Sequence, residues 1–349
     1  MNDLVNDRRK FNIVILGSSL IAVVIVLSLV TLGTASIPLN DILRIIGKKI
    51  PFFGQYVDDS NIREAYKIIV LNLRFPRVIM AFIVGAGLAS SGLIFKGVFR
   101  NPMADPYVLG VSSGAAFGAT IVIVLGINFT IFSFSFVSIG AFVGAALTTL
   151  FVFTIASFHK SKGTTILLLT GIAISFFLSS FISLLMTLNR DLIENIFFWT
   201  MGSVATATWD KVGSIIIGTI IGLAIFIFYS RELNIILTGE SNAIALGVNV
   251  KKVRKTLLYT ASFVSALAVS VSGIVGFVGL IVPHAVRLVI GSDNRKLLPM
   301  TIISGGIFLA VSDGIARSIA SPMEIPLGVI TAFVGTPYFI FLLVRKRFR

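Results

Sequence analysis

Polar and apolar positions along the 349-residue chain separate into long blocks. Runs without Asp, Glu, Lys or Arg cover 11–40, 78–95, 107–159, 163–189, 212–230, 256–286, 297–312 and 325–344. A hydrocarbon core of about 30 Å is crossed by roughly 20 helical residues, so these blocks predict membrane-spanning helices. The run 107–159 holds two of them, with a turn at Gly126-Ile127-Asn128. The run 256–286 is too long for one span and short for two. Its second part, Gly273-Ile-Val-Gly276-Phe-Val-Gly279 followed by Pro283, predicts a short, glycine-broken helix, tolerated where protein surrounds it. The pattern therefore predicts ten spans, one of them short, in a single transmembrane domain over 1–349. Between the first two spans lies the segment 36–77, with an amphipathic stretch at 39–50 and the acidic pair Asp58-Asp59.

Composition strengthens this picture. Hydrophobic residues make up 56% of the chain and charged ones 13%, about half the usual quarter. A soluble enzyme or nucleic-acid binder is excluded on that ground. The net charge of +14 would suggest a polyanionic partner in a soluble protein, but in a membrane protein basic residues collect in cytoplasmic loops. In the ten-span arrangement the side that holds both termini carries nineteen basic and six acidic residues, and the other side ten and nine. Both termini, 1–10 and 345–349, are thus expected in the cytoplasm, and so is the connection 231–255. The apolar run after Arg8-Arg9-Lys10 exceeds the 7–15 residues of a signal peptide core, so an uncleaved first helix is expected. With no Cys and only His159 and His284, disulfide, zinc-thiolate and iron–sulfur sites are excluded and no metal site is expected.

Several motifs stand out. Gly110-x3-Gly114-x3-Gly118, Gly140-x3-Gly144 and Gly218-x3-Gly222 are faces for close helix approach, either within one subunit or at a dimer seam. Gly85-Ala-Gly87 lacks a preceding strand and is no dinucleotide loop. Arg100-Asn101-Pro102-Met103-Ala104-Asp105-Pro106 forbids a continuous helix and predicts a rigid elbow, with Asn101 bonded to freed backbone groups or lining a constriction. The stretch 239–254 predicts two short helices hinged at Gly247, with Ser241 capping the first. There Ala243, Leu246, Val250 and Val253 form an apolar stripe that calls for a partner surface or for the bilayer.

Leu73-Arg74-Phe75-Pro76-Arg77 followed by Val84-Gly85-Ala86-Gly87-Leu88-Ala89, then the Arg100–Pro106 elbow with Gly110-Val-Ser-Ser-Gly114-Ala, resembles the FecCD-type permeases. So do the Ala-x2-Leu-Gly-Val loop, Gly276-Phe-Val-Gly279-Leu-Ile-Val-Pro283-His284-x2-Arg287 and Ser312-Asp313-x3-Arg317. The likeness runs in order from about residue 12 to 345. It implies an all-α polytopic chain with the type II ABC importer permease fold, in a bacterial inner or plasma membrane. It also implies a second permease subunit, either identical or a paralogue, two cytoplasmic ATPase subunits that bind ATP and magnesium, and an extracytoplasmic binding protein. The chain itself is then not an enzyme and holds no cofactor or metal. The cargo implied is an iron-siderophore, haem or cobalamin.

Carried over residue by residue, the resemblance makes Arg74, Arg77 and Arg317 docking points for carboxylates of the binding protein; the alternatives from the residues themselves are that Arg77 snorkels to headgroups and that Asp313 and Arg317, four residues apart, neutralise each other. Glu240, Ser241, Ala243, Leu246, Gly247, Val250 and Arg254 belong to the loop that enters the ATPase. The pathway is expected along the fifth span, whose Ser179 and Ser183, with Ser175 and Ser180, either face a polar ligand or bond to their own backbone. Thr164 and Thr165 are expected to close its cytoplasmic end together with Asn101 and Met103. His284 follows Pro283 at a helix end and is expected to be structural. Two rival functions are an ion-coupled secondary transporter and a non-transporting receptor or scaffold. The first normally places an ionisable residue at mid-membrane, which none of the long runs contains.

Overall fold

The computed structural model describes residues 2–33, 35–49, 52, 54–127, 129–131, 134–158 and 164–346, with backbone alone at 2–10, 131, 164 and 342–346. The helices are α1 (Asn2–Thr31), α2 (Leu39–Lys49), α3 (Glu64–Ile68), α4 (Phe75–Phe99), α5 (Val111–Val124), α6 (Phe136–Ser157), α7 (Thr164–Leu188) and α8 (Ile193–Thr200). They continue with α9 (Trp209–Phe228), α10 (Ser230–Leu237), α11 (Glu240–Ala245), α12 (Val250–Ser272), α13 (Val278–Ile290), α14 (Asn294–Ser318) and α15 (Leu327–Lys346). Seven helical segments are long and apolar enough to cross a membrane, and the shorter apolar helices α5, α13 and α15 bring the described total to ten. The ten spans read from the sequence correspond to these helices, but three of their apolar segments are short where one was expected. His159 and the basic residues Lys160, Lys162, Arg347 and Arg349 lie outside the described residues.

Helix α4 is the central post. Its flanks are covered by α14, α12, α13 and α9. Small residues make this possible: a Cβ at Gly92 would lie 2.3 Å from the Gly279 carbonyl oxygen of α13. The glycine repeats are likewise used inside the subunit. A Cβ on Gly118 of α5 would meet the Gly140 oxygen of α6 at 2.0 Å, so this pair of backbones touches only because both residues lack side chains. Gly218 and Gly222 of α9 receive Leu267 and Val264 of α12.

The second span begins earlier than its apolar run suggests. One continuous helical segment reaches from Glu64 to Phe99, so Arg74 and Arg77 lie in a helix and not in a loop before it. Residues Ile69–Arg74 form a wider π turn, in which the Phe75 amide reaches back to the Val70 carbonyl. Pro76, which has no N–H to give, is accommodated directly after it.

Between α12 and α13 the chain is non-helical over 273–277, with Gly273 and Phe277 at positive φ. Its polar groups find partners: the Ser203 amide donates to the Ser272 carbonyl at 2.7 Å, and the Tyr107 hydroxyl donates to the Val275 carbonyl at 2.7 Å and accepts from the Val275 amide at 3.3 Å. An unwound segment can sit among spans only when its backbone is satisfied in this way. The elbow forms as expected. Arg100 closes α4 in the left-handed region, and Asn101 Oδ1 accepts from the Met103 amide at 2.9 Å. Asp105 then starts a single 3-10 turn, Pro106–Leu109, by accepting from the Tyr107 amide.

Candidate functional site

Helices α4 and α14 pack against each other, and a distinct set of polar groups gathers at each end of α4. At the end where α4 begins, Arg74, Arg77 and Arg317 converge. The last carbonyls of a helix have few intrahelical donors, and two of these arginines donate to carbonyls at and just beyond the end of α1. Arg74 donates to the Val30 and Thr31 carbonyls at 3.3 and 3.1 Å and to Ala35, while Arg317 donates to Leu29 and Leu32 at 3.3 and 3.1 Å. Their residues are only 5% and 4% exposed.

Asp313, one turn before Arg317 on α14, sits at the centre. It accepts from Arg77 Nε at 3.0 Å and Nη2 at 2.9 Å, and Arg317 Nε lies 3.1 Å from its other oxygen as an ion pair without hydrogen-bond alignment. Arg77 also grips Glu324 with two parallel bonds of 2.8 and 2.9 Å. Glu324, whose side chain is 38% exposed, is the rim of the cluster. Each of the three guanidinium groups expected to meet a binding protein has partners within the chain, Arg74 and Arg317 are turned inward, and the i,i+4 pair Asp313–Arg317 is formed. Glu324 was missed by the sequence reading, although an isolated acid just beyond the ninth span was a usable signal.

At the opposite end, α10, α11 and the start of α12 form the predicted two-helix feature, with three corrections. The second helix is not short, since it continues as the span α12. Gly239, not Ser241, occupies the cap position of α11, and Ser241 lies exposed within the first turn. The apolar stripe is split: Ala243, Val250 and Val253 are buried in the chain's own core, while Leu246 is 68% exposed beside Ile244 at 62%. The exposed apolar tip is thus Ile244 with Leu246. Gly247 closes α11 with φ +79°, where its amide donates to Ile244 and the Val248 amide to Ala243, and nothing lies within 4 Å of its missing Cβ. Glu240 and Arg254 join the two helices by an ion pair of 3.1 Å.

This lever is fastened to the body nearby. Arg100 donates to the Ile236 carbonyl, and Asn234 bonds both Asp293 (2.6 Å) and Asn294 (2.8 Å). Hydrogen bonds from Arg295 hold the Asp293 carboxyl below the usual carboxylate range. Deeper in the same end, Lys96 donates to the Leu280 carbonyl, and the fully buried Asp105 faces Gly279, where a Cβ would come within 2.8 Å of Oδ2. Burial pushes the Asp105 carboxyl up. Nothing in the elbow motif itself marks Asp105 for this buried position.

Helix α7 has the least buried of the seven long apolar segments, with 6% of its window covered. Ser180 and Ser183 donate to the carbonyls of Phe176 and Ser179, the backbone alternative left open by the sequence, while Ser179 is exposed. Thr165 is exposed, the Thr164 side chain lies outside the described residues, and no hydrogen bond joins Thr165 to Asn101 or Met103. Among the described residues no group of three or more His, Asp or Glu side chains is placed to hold a metal ion.

Comparison with known proteins places this architecture. The model of the FecCD transport family matches residues 20–345. The chain belongs to that family. An uncharacterized ABC transporter permease of Bacillus subtilis is 37% identical over 335 residues, covering 95% of this chain and 93% of the relative. The cobalamin import system permease of Halobacterium salinarum is 42% identical over 290 residues, with 82% and 76% covered. A solved structure described as an inward-facing, metal-chelate type ABC transporter superposes with a TM-score of 0.78 at 31% identity, covering 95% of this chain and 99% of that one. This FecCD chain is accordingly a multi-pass, all-helical ABC permease.

Proposed function

We propose that this FecCD chain is the membrane subunit of an ATP-driven importer that carries a ferric siderophore into the cytoplasm, with haem and cobalamin as the next candidates. ATP and magnesium would bind a separate ATPase subunit. The observation that carries this reading is the tip at Ile244 and Leu246. Two large apolar side chains stand clear of the chain on a short helix braced by Glu240–Arg254 and anchored through Asn234. Exposed apolar side chains on a polar, braced projection suit insertion into a protein cleft, and rigid fastening lets a push there reach α14 and α4. The excess of basic residues on this side supports cytoplasmic placement of the tip and of both termini.

A binding protein would dock at the other end. Arg77 is the arginine available to it, by exchange of Glu324 for an incoming carboxylate, while Arg74 and Arg317 would act by fixing the end of α1 beneath. The uncovered faces of α7 and α15 would meet a second permease subunit and border the pathway, with Ser179 facing it. Asn101, Met103, Thr164 and Thr165 remain the proposed cytoplasmic closure.

The test is co-purification with the partner ATPase and uptake in proteoliposomes. Ile244→Glu/Leu246→Glu should abolish ATPase capture and uptake while the permease still elutes as a folded dimer. Undiminished capture would refute the coupling assignment, and uptake of only haem or cobalamin would refute the siderophore.

A further inference from the structure

A pocket of 340 Å³ opens where α4 and α9 begin, lined by Ile46, Lys49, Leu71, Asn72, Phe75 and Trp209. Its construction follows from Pro76. In the π turn the Phe75 amide goes to Val70, and Pro76 has no N–H, so the Leu71 carbonyl loses its helical donor. The indole N–H of Trp209 fills the vacancy at 2.8 Å, and its ring lies 5.6 Å from that of Phe75. The result is a fixed aromatic wall. Across the mouth stand the Lys49 ammonium and the Asn72 side-chain amide, both exposed and neither with a hydrogen-bond partner among the described residues.

The pocket's depth is set by its walls. Trp209 is the first residue of one span, and Leu71–Phe75 forms an early turn of another. Aromatic rings at span ends lie at headgroup level. The adjoining helix α2 points the same way. Ile42 and Ile45 are buried against the body, but Leu39 and Leu43, four residues apart, are exposed, as are Phe52 and Tyr56 beyond it. Beside them α2 carries Arg44, Lys48 and Lys49 against a single acid, Asp41. Exposed apolar side chains next to a basic excess complement an anionic lipid surface.

We propose that this pocket is a headgroup site for an anionic phospholipid of the leaflet at which α4 and α9 begin. The phosphodiester accepts from Lys49 and Asn72, the glycerol carbons lie on Trp209 and Phe75, and α2 rests its outer leucines on the same leaflet. The chain holds two tryptophans, Trp199 and Trp209, so Trp199→Phe leaves Trp209 as the reporter.

The experiment titrates the full-length Trp199→Phe chain, in neutral detergent, with acyl-brominated phosphatidylglycerol or phosphatidylcholine and reads quenching of Trp209. Phosphatidylglycerol should act at about fivefold lower concentration, the factor expected for one basic side chain at a lipid surface. Lys49→Gln, an exposed and mild change, should remove the difference, and Lys49→Glu should invert it. Equal quenching by both lipids, or a preference that survives Lys49→Gln, overturns the proposal. So does inorganic phosphate displacing phosphatidylglycerol at comparable concentration, which would assign the site to free anions. Loss of binding-protein capture in Lys49→Gln with the lipid preference unchanged would give the surface to a protein instead.

Discussion

Replacing Asp313 by Asn tests the polar cluster at its centre. The side chain keeps its size but loses the charge that faces two guanidinium groups, Arg77 at 2.9 Å and Arg317 at 3.1 Å. Removing one member of a buried ion pair costs about 3–5 kcal/mol, because the remaining charge stays buried without compensation. Here the loss belongs at the lower end, near 3 kcal/mol. Arg77 retains the rim carboxylate of Glu324, and Arg317 retains the Leu29 and Leu32 carbonyls. Reversible unfolding in mixed micelles measures the change, and a cycle with Arg317→Gln isolates the pair. The two substitutions should couple by at least about 1 kcal/mol. A cost for Asp313→Asn under about 1 kcal/mol, the range of exposed ion pairs, would refute the view that this cluster is a buried lock.

Three further outcomes follow from the same geometry. Glu324→Gln should leave stability within about 1 kcal/mol of the parent but strengthen capture of the binding protein up to about fivefold by vacating Arg77, and unchanged capture in a pull-down series would remove Arg77 from the docking contact. Gly118→Val should cost about 1–3 kcal/mol or prevent folding, since α5 and α6 must part to admit the side chain, as thermal unfolding of the purified chain will show. The Asp293 carboxyl is held down by Arg295, so its contribution is present above the unfolded pKa of about 3.9 and lost as pH falls through the folded value. Asp293→Asn should therefore flatten the decline in stability below about pH 4, and an unaltered acid limb would contradict the assignment.

The spans were legible because a bilayer demands long uncharged runs, and that demand is written in consecutive residues. Even the broken helix α13 could be read, since Gly273, Gly276 and Pro283 interrupt the pattern within a few positions. What escaped was three-dimensional pairing. Arg77 and Glu324 are 247 residues apart, and nothing local marks them as partners. The stripe at Ala243, Leu246, Val250 and Val253 has helical spacing, but Gly247 turns the chain within it, so one register cannot run through all four. The start of the second span was misplaced for a related reason. Charged residues at Arg74 and Arg77 ended the apolar run, although buried carboxylate and carbonyl partners let the helix carry them inward.

The closure of α1 by Arg74 and Arg317 also bears on how the molecule is made. Only 17% of the apolar window of α1 is buried, and beside its packing along α14 the carbonyl end supplies its main polar attachment. The Arg317 donor lies 285 residues downstream, on the ninth span. During synthesis the first helix therefore enters the membrane long before its terminus can be sealed, and Arg74 must serve alone until α14 arrives. A nascent chain halted before residue 317 would hold a loosely tethered first helix. The polar sealing of the first helix is thus complete only once nearly the whole polypeptide has been made.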